Sequence, residues 1–196
     1  MFKDLIIRNR SVRGYDPSVK IPRDELADMI DCARLSASSR NVQPLKYYIS
    51  NEGRSVEILN GLIHYGRRLP GITLPFKGTE PPTFIVICLD TSINSSKQIF
   101  IRDVGIAAEA ITLRAAELGY GACMIGNFSP DEVKAQLGFS EEIDPMLIIS
   151  IGKSVEDIRL VDLGPDGNTD YYRDDAGTHF VPKRSLEDII LPSSDK

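Results

Sequence analysis

Residues Ile99–Phe128 read IFIRDVGIAAEAITLRAAELGYGACMIGNF, and the way this stretch folds decides the arrangement of the rest. Its first two thirds place good helix formers at helical spacing, among them Ala107, Ala108, Ala110, Leu113, Ala115, Ala116 and Leu118. The charged residues within it form no clean polar face, whereas a surface helix keeps one. The spacing therefore predicts a long helix covered on most sides, by a sheet on one and by other helices or a second subunit elsewhere. Gly119 and Gly121 are expected to stop it, since glycine adopts the backbone angles that end a helix. The apolar run Ala122–Ile125 predicts a strand. Gly126-Asn127 then reads either as a plain turn or as a place where backbone approaches a ligand closely.

Toward the N-terminus, Phe2–Asn9 predicts a short helix, with Phe2, Leu5 and Ile6 on one face. Pro22 opens a helix over Arg23–Leu35, with Asp24 and Glu25 in the first turn where the helix dipole favours them. Ser36–Pro44, SASSRNVQP, is a polar loop; Lys46–Ser50 is a strand and Ser55–Tyr65 a helix. Gly66–Pro82 is irregular and long, and its apolar residues predict that it covers something. Thr83–Leu89, TFIVICL, is apolar throughout and predicts a central strand. Beyond the long helix, Ser129 and Glu132 form a capping-box pattern for a helix ending near Gly138. Pro145 precedes a buried strand, Met146–Ile151, and a polar tail carries one short helix, about Leu186–Ile190. There is no early strand and no strand-first glycine fingerprint of a dinucleotide-binding fold. The expectation is one α+β domain over residues 1–196, a sandwich with a mostly antiparallel or mixed central sheet flanked by helices. An apolar helix this long favours a dimer.

Composition narrows the function. The chain has 196 residues, 42% of them hydrophobic, and a formal net charge of −5. Nothing global points to nucleic acid or an anionic membrane as partner, and no apolar run is long enough to span a bilayer. The N-terminal residues lack a signal segment, so a cytoplasmic protein is expected. Cys32, Cys88 and Cys123 have no metal-ligand spacing and are expected as buried free thiols. His64 and His179 are the only histidines; they are read as structural or solvent-facing, and no metal centre is expected. Asp103 and Arg114 on the long helix are expected to pair with neighbours or a partner subunit. Arg8, Arg10 and Arg13 bracket Ser11 in an otherwise acidic chain. That cluster is either a site for a ligand phosphate or a solvated helix end, and the same two readings apply to Lys183-Arg184.

Taken together, five stretches resemble the flavin-dependent nitroreductase family. RNRSVRGYD (Arg8–Asp16) resembles its Arg-rich opening signature, and SSRNVQPLKYYI (Ser38–Ile49) the second signature, in which Asn and Gln-Pro precede a strand. DVGIAAEAITLRAAELGYGACMIGNF is similar to the family's central helix and glycine-bearing strand, LIISIGK (Leu147–Lys153) to its last core strand, and VPKRSLEDII (Val181–Ile190) to its closing segment. The resemblance implies an obligate homodimer with FMN at the interface, NADH or NADPH as reductant, and a small electron acceptor such as a nitroaromatic or quinone, handled in ping-pong order. It matches Arg10 and Ser11 to positions that hold the FMN phosphate, and Arg13 to the basic residue at the ring's N1 and O2 edge. Ser38, Ser39 and Asn41 match a loop contributed by the other subunit. Gly126 and Asn127 match backbone near N5, and Lys183 and Arg184 match the closing basic pair at the phosphate. It supplies no catalytic acid or base; protons can come from water.

Some positions depart from the better-known members. Asn9 stands where many have an Arg, Leu45 replaces a frequent Trp, and Gly126-Asn127 replaces an acidic-Gly pair. These bear on substrate and reductant. Specialised chemistry on the same scaffold, dehalogenase-like or flavin-degrading, and a non-enzymatic FMN-binding or sensing protein are the competing readings. Tyr65, Phe76 and the Gly66–Pro82 loop are expected as the outer wall of the pocket.

Overall fold

The computed structural model describes residues 1–65 and 71–192. The chain divides into two compact units, Met1–Tyr65 with Thr73–Val155, and Gly66–Ile72 with Glu156–Lys196.

In the first unit the helices are α1 (Phe2–Arg8), α2 (Arg23–Arg34), α3 (Arg54–Leu62), α4 (Lys97–Glu117) and α5 (Pro130–Leu137). The strands are β1 (Tyr15–Asp16), β2 (Leu45–Ser50), β3 (Thr83–Asp90), β4 (Gly121–Ile125) and β5 (Ile143–Ser154). Strand β5 is the spine. It pairs with β3 on one side and with β4 and β1 on the other, β2 adds to β3, and every pairing is antiparallel. The expected α+β sandwich with a mostly antiparallel sheet is what the chain forms.

Alternation along the strands sorts side chains into two cores. Ile85, Ile87, Ile149 and Ile151 face one cluster, completed by Leu26 and Met29 of α2 and by Val104, Ala107, Ala108, Ile111 and Ala115 of α4. Phe84, Val86, Cys88, Cys123, Ile125 and Ile148 face the other, covered by Leu59 of α3 and Val133 of α5. Strand β3 feeds both faces and is buried from Thr83 to Leu89, which explains its unbroken apolar sequence.

Several boundaries shift for physical reasons. The predicted strand Met146–Ile151 extends to Ile143–Ser154 and runs through Pro145, because a register irregularity at Ile87/Cys88 falls where Pro145 faces Cys88 and proline is tolerated at a bulge. An early strand exists after all, but it is only the two residues of β1, too short to show a pattern. Gly119 does end α4, with φ 85°. Gly121 does not; it lies in β4, where a Cβ would stand 2.5 Å from Val12 Cγ2. Ser129 caps α5 by accepting the Glu132 N–H, and Gly138 closes that helix in the left-handed conformation. Cys88 and Cys123 are buried free thiols, whereas Cys32 on α2 is only half-buried. Burial, with Asp144 adding to it, pushes the Cys88 thiol up to about 12.

The second unit holds three strands hidden in the polar tail: β6 (Ile158–Asp162), β7 (Tyr172–Arg173) and β8 (His179–Lys183), followed by α6 (Leu186–Ile189). Strand β8 is central, parallel to β6 and antiparallel to β7. Arg173 and Glu156 form an ion pair with both side chains at most 10% exposed, and Tyr172 stacks on Phe180. Burial of so polar a sequence rests on charge pairing, which leaves no apolar alternation to read in advance. Of the Gly66–Pro82 segment, residues 66–70 lie outside the described residues. The rest buries Leu74, leaves Phe76 half exposed, and is pinned where Thr79 accepts the Tyr15 N–H at 3.0 Å and Pro81 accepts from Asn60 at 3.2 Å. Tyr65 packs against the second core.

Candidate functional site

The Arg-rich segment after α1 lies along the edge of β4. Ser11 bridges to Ala122 in parallel sense, and the Val12 N–H donates to Ala122 O at 2.9 Å. Val12 seats its side chain on Gly121. Tyr15, fully buried, ties the segment down by donating to Val12 O at 2.7 Å beside a 2.8 Å hydroxyl contact with Ser150. The segment is therefore held from below, with Ser11 exposed.

Asn9 turns toward α4, donating to Thr112 Oγ1 at 3.0 Å and to Glu109 Oε1 at 3.3 Å. Arg10 folds back to donate from Nη2 to Ile6 O at 2.6 Å, while its Nε is buried with no partner among the described residues. Burial lowers the Arg10 pKa and the nearby Glu109 works the other way; the guanidinium stays cationic. Together with Ser11, Ala122 and Met124 these residues line an open cleft of about 220 Å³. One guanidinium with an orphaned N–H and one serine hydroxyl at this cleft, beside the Glu109 carboxylate that also lines it, are donors that fit the oxygen-rich, anionic end of FMN. Arg13 sits two residues on, donating to Ser11 O at 3.1 Å.

Strand β4 leads from this cleft to Gly126 and Asn127. Gly126 is exposed, has an ordinary backbone angle, and no atom within 4 Å of a Cβ built on it. Neither turn geometry nor packing within the described chain requires a glycine there, and the space a Cβ would take is open. Asn127 is anchored to the end of α3: its carbonyl accepts the His64 N–H at 3.2 Å and its side-chain amide donates to His64 O at 3.5 Å.

The Ser38–Gln43 loop meets α4 elsewhere. Asp103, 3% exposed, accepts from Ser38 Oγ at 2.7 Å, Ser39 N at 2.8 Å and Ser39 Oγ at 2.6 Å. Burial works to raise the Asp103 pKa, but these donors outweigh it and hold the carboxyl below its ordinary range. Asp103 and Thr112 stand about nine residues apart, hence about 14 Å along the axis and on opposite sides of the helix. Within one chain the loop and the Arg-rich segment thus anchor on opposite faces of α4. Arg114 pairs with Asp28 at 2.5 Å and Glu117 at 2.6 Å, so both charged residues singled out on this helix pair with neighbours in the same chain.

In the second unit Lys183 ends β8 and Arg184 follows it, both exposed; the Lys183 carbonyl accepts the Leu163 N–H at 2.9 Å. His179 is buried against the Tyr171 ring, a structural histidine, and His64 links to Asn127 as above. Among the described residues no group of three His, Cys, Asp or Glu is placed to hold a metal. Glu109, Thr112 and Met124 escape sequence reading because only the fold brings α4 and β4 to the Arg-rich segment.

A model of the nitroreductase family matches residues 6–64 and 77–153, well over half the chain. The chain belongs to the nitroreductase family. The matched residues hold the Arg-rich segment, the Ser38–Gln43 loop, α4 and β4. Similar solved structures include an FMN-dependent nitroreductase from Clostridium difficile R20291, 25% identical with a TM-score of 0.63 over 78% of this chain and 87% of that one. Another is a candidate nitroreductase in complex with FMN from Exiguobacterium sibiricum, 20% identical with a TM-score of 0.67 over 80% and 89% of the two chains. Among curated relatives, Bacillus subtilis YodC, named provisionally as an NAD(P)H nitroreductase, is 24% identical over 78% of this chain and 89% of its own. A protein of Archaeoglobus fulgidus, named provisionally as an NADH dehydrogenase/NAD(P)H nitroreductase, is 23% identical over 92% and 93%. This nitroreductase-family enzyme therefore has the fold of a flavoenzyme, with antiparallel sheet, flanking helices and long central helix in place.

Proposed function

We propose that this nitroreductase-family enzyme is an FMN-dependent NAD(P)H oxidoreductase that reduces nitroaromatics, quinones or similar electron-poor compounds. The observation that carries the reading is the buried, orphaned Nε of Arg10 beside Ser11 at the α4–β4 cleft, a donor set waiting for an anion. FMN, when bound, supplies the hydride and electron chemistry. The protein's own work is to bind and orient. Arg10 and Ser11 would donate to the phosphate; for Lys183 and Arg184, which lie outside the matched residues, the ground for a phosphate role is the resemblance of Val181–Ile190 to the family's closing segment. Arg13, which the resemblance assigns to the N1 and O2 edge, would offer that edge positive charge. The resemblance assigns the Gly126 backbone to the neighbourhood of N5, where the missing Cβ would let a ring approach, and Asn127 ties that backbone to His64 just after α3. Reductant and acceptor would use one site in turn, which predicts ping-pong kinetics.

Two features support a homodimer. Ile99 and Ile106 of α4, seven residues apart and hence on one face of the helix, are 41% and 44% exposed in the single chain, an apolar stripe that a second copy would cover. The opposed anchoring of the Ser38–Gln43 loop also fits a loop that serves the partner's flavin. Among the described residues no helix is long and apolar enough to cross a membrane. Free thiols at Cys32, Cys88 and Cys123 suit the reducing cytoplasm.

The test is an anaerobic titration of the FMN-loaded protein with NADH and with NADPH, followed by a panel of nitro compounds and quinones. Bleaching of the flavin absorbance and its return on adding acceptor is expected. Yellow protein that neither nicotinamide bleaches would point to a sensing role instead. Unchanged FMN affinity in Arg10→Ala, or in Lys183→Ala with Arg184→Ala, would remove the corresponding phosphate assignment.

A further inference from the structure

The Ser38–Gln43 loop combines two features that the family match does not predict. The first is conformational. Arg40, Asn41 and Gln43 have φ of 53°, 56° and 55°, the left-handed region that glycine occupies freely and other side chains rarely do. Gln43 also precedes Pro44, which disfavours helical backbone of its own accord. No glycine is used at any of these positions, although glycine would remove the strain. The second is the destination of the serine hydroxyls. Both Ser38 and Ser39 donate to the buried Asp103 carboxylate at 2.6–2.7 Å, the Ser39 N–H adds a third bond, and Ser38 Oγ also accepts the Gln43 N–H at 3.0 Å. The side chains of Arg40, Asn41 and Gln43 are exposed, and those of Arg40 and Asn41 have no hydrogen-bond partner among the described residues.

We infer that Asp103 is the positioning residue of the flavin-facing loop: its carboxylate consumes the Ser38 and Ser39 hydroxyls to hold the strained backbone, and contact with the flavin is made by Arg40, Asn41 and Gln43 instead. This rests on the proposed FMN reading. The clamp is what fixes the loop. A carboxylate has the acceptor capacity for three donors at once, and inside a protein such charge-assisted bonds are short and strong. Both serines are side-chain donors to the helix, so they are turned from the exposed side of the loop. The residues kept non-glycine at conformational cost are the ones that face outward, as expected where strain is retained for a ligand.

Arg40 makes the loop testable without any cofactor, because trypsin cuts after it. In the flavin-free protein, Asp103→Asn should raise cleavage at Arg40, mapped by mass spectrometry, about tenfold as the loop opens. In the same variant FMN should bind about tenfold more weakly, with a shifted visible flavin spectrum. Gln43→Gly relieves backbone strain and should leave the melting temperature unchanged or raised while weakening FMN. If Asp103→Asn does not fold, Ser38→Ala with Ser39→Ala carries the same readouts, and the corresponding pair of Thr variants, which keep the hydroxyls, should restore wild-type behaviour. Unchanged cleavage would overturn the clamp. An opened loop with unchanged FMN affinity and spectrum would overturn the positioning role. A wild-type protein that takes up no FMN would overturn the flavin reading and this inference with it, while the cleavage comparison would still report separately on the clamp.

Discussion

Gly121 shows how a single missing side chain sets the site. A Cβ there would lie 2.5 Å from Val12 Cγ2 and 2.9 Å from Val12 Cβ, and Val12 is stiff at χ1, so the Arg-rich segment must move off β4. Gly121→Ala should cost about 1–3 kcal/mol of stability and weaken FMN binding; thermal melting and a flavin fluorescence titration check both. Arg13 acts differently. It donates to the Ser11 carbonyl at 3.1 Å, while Val12 is itself held by the Ala122 carbonyl. Arg13→Ala should slow flavin reduction by NAD(P)H in stopped-flow experiments, by roughly 10–100-fold for a lost charge-assisted interaction, with a smaller effect on FMN affinity. Both residues were visible as members of a motif, but glycine's role was misread from sequence as a helix stop, because close packing between distant segments leaves no local signal.

Elements are joined at one carboxylate. Asp144 on β5 meets Lys97 of α4 at 2.8 Å and Lys134 of α5 at 3.1 Å, tying the start of the long helix and a shorter one to the central strand. The Lys97 ammonium holds this carboxyl below its ordinary range, burial opposes it, and Lys134 assists. A depressed carboxyl pKa means fewer protons bound in the folded state. Its stabilisation is thus full above the unfolded value of about 3.9 and is lost as pH falls through the folded one. Asp144→Asn should lower stability at neutral pH and flatten the acid limb below about pH 4, as urea unfolding measured across pH would record. Which elements exist was mostly legible: helical spacing gave α2 and α4, and an apolar run gave β3. Strands β6, β7 and β8 were not, since their burial rests on the Arg173–Glu156 pair and ring contacts rather than on alternation.

At the scale of the whole molecule, the apolar residues of α4 divide. Val104, Ala108, Ile111 and Ala115 go to the core, and Ile99, Ile101 and Ile106 stay in solvent. Charging the stripe with Ile99→Asp and Ile106→Asp should leave the monomer folded and shift sedimentation from dimer to monomer, with loss of FMN if the site is shared between subunits. Buried apolar side chains contribute about 1.5–3 kcal/mol each, so two charges placed in the stripe outweigh a modest interface. A dimer that survives both substitutions would place the interface elsewhere.

By itself the sequence determined the family, the long helix and its strand, and the sandwich class, because these are carried by spacing and by motifs that survive as short runs of residues; the site residues it named stand as a proposal. Tertiary structure alone decided that Asn9, Arg10 and Ser11 share a cleft with Thr112 and Met124, that Asp103 takes up both loop serines, and that Arg40, Asn41 and Gln43 sit in left-handed backbone. Each of those facts depends on segments dozens of residues apart meeting in space, and hydrogen bonds and steric exclusion across such distances leave no periodicity in the chain to read.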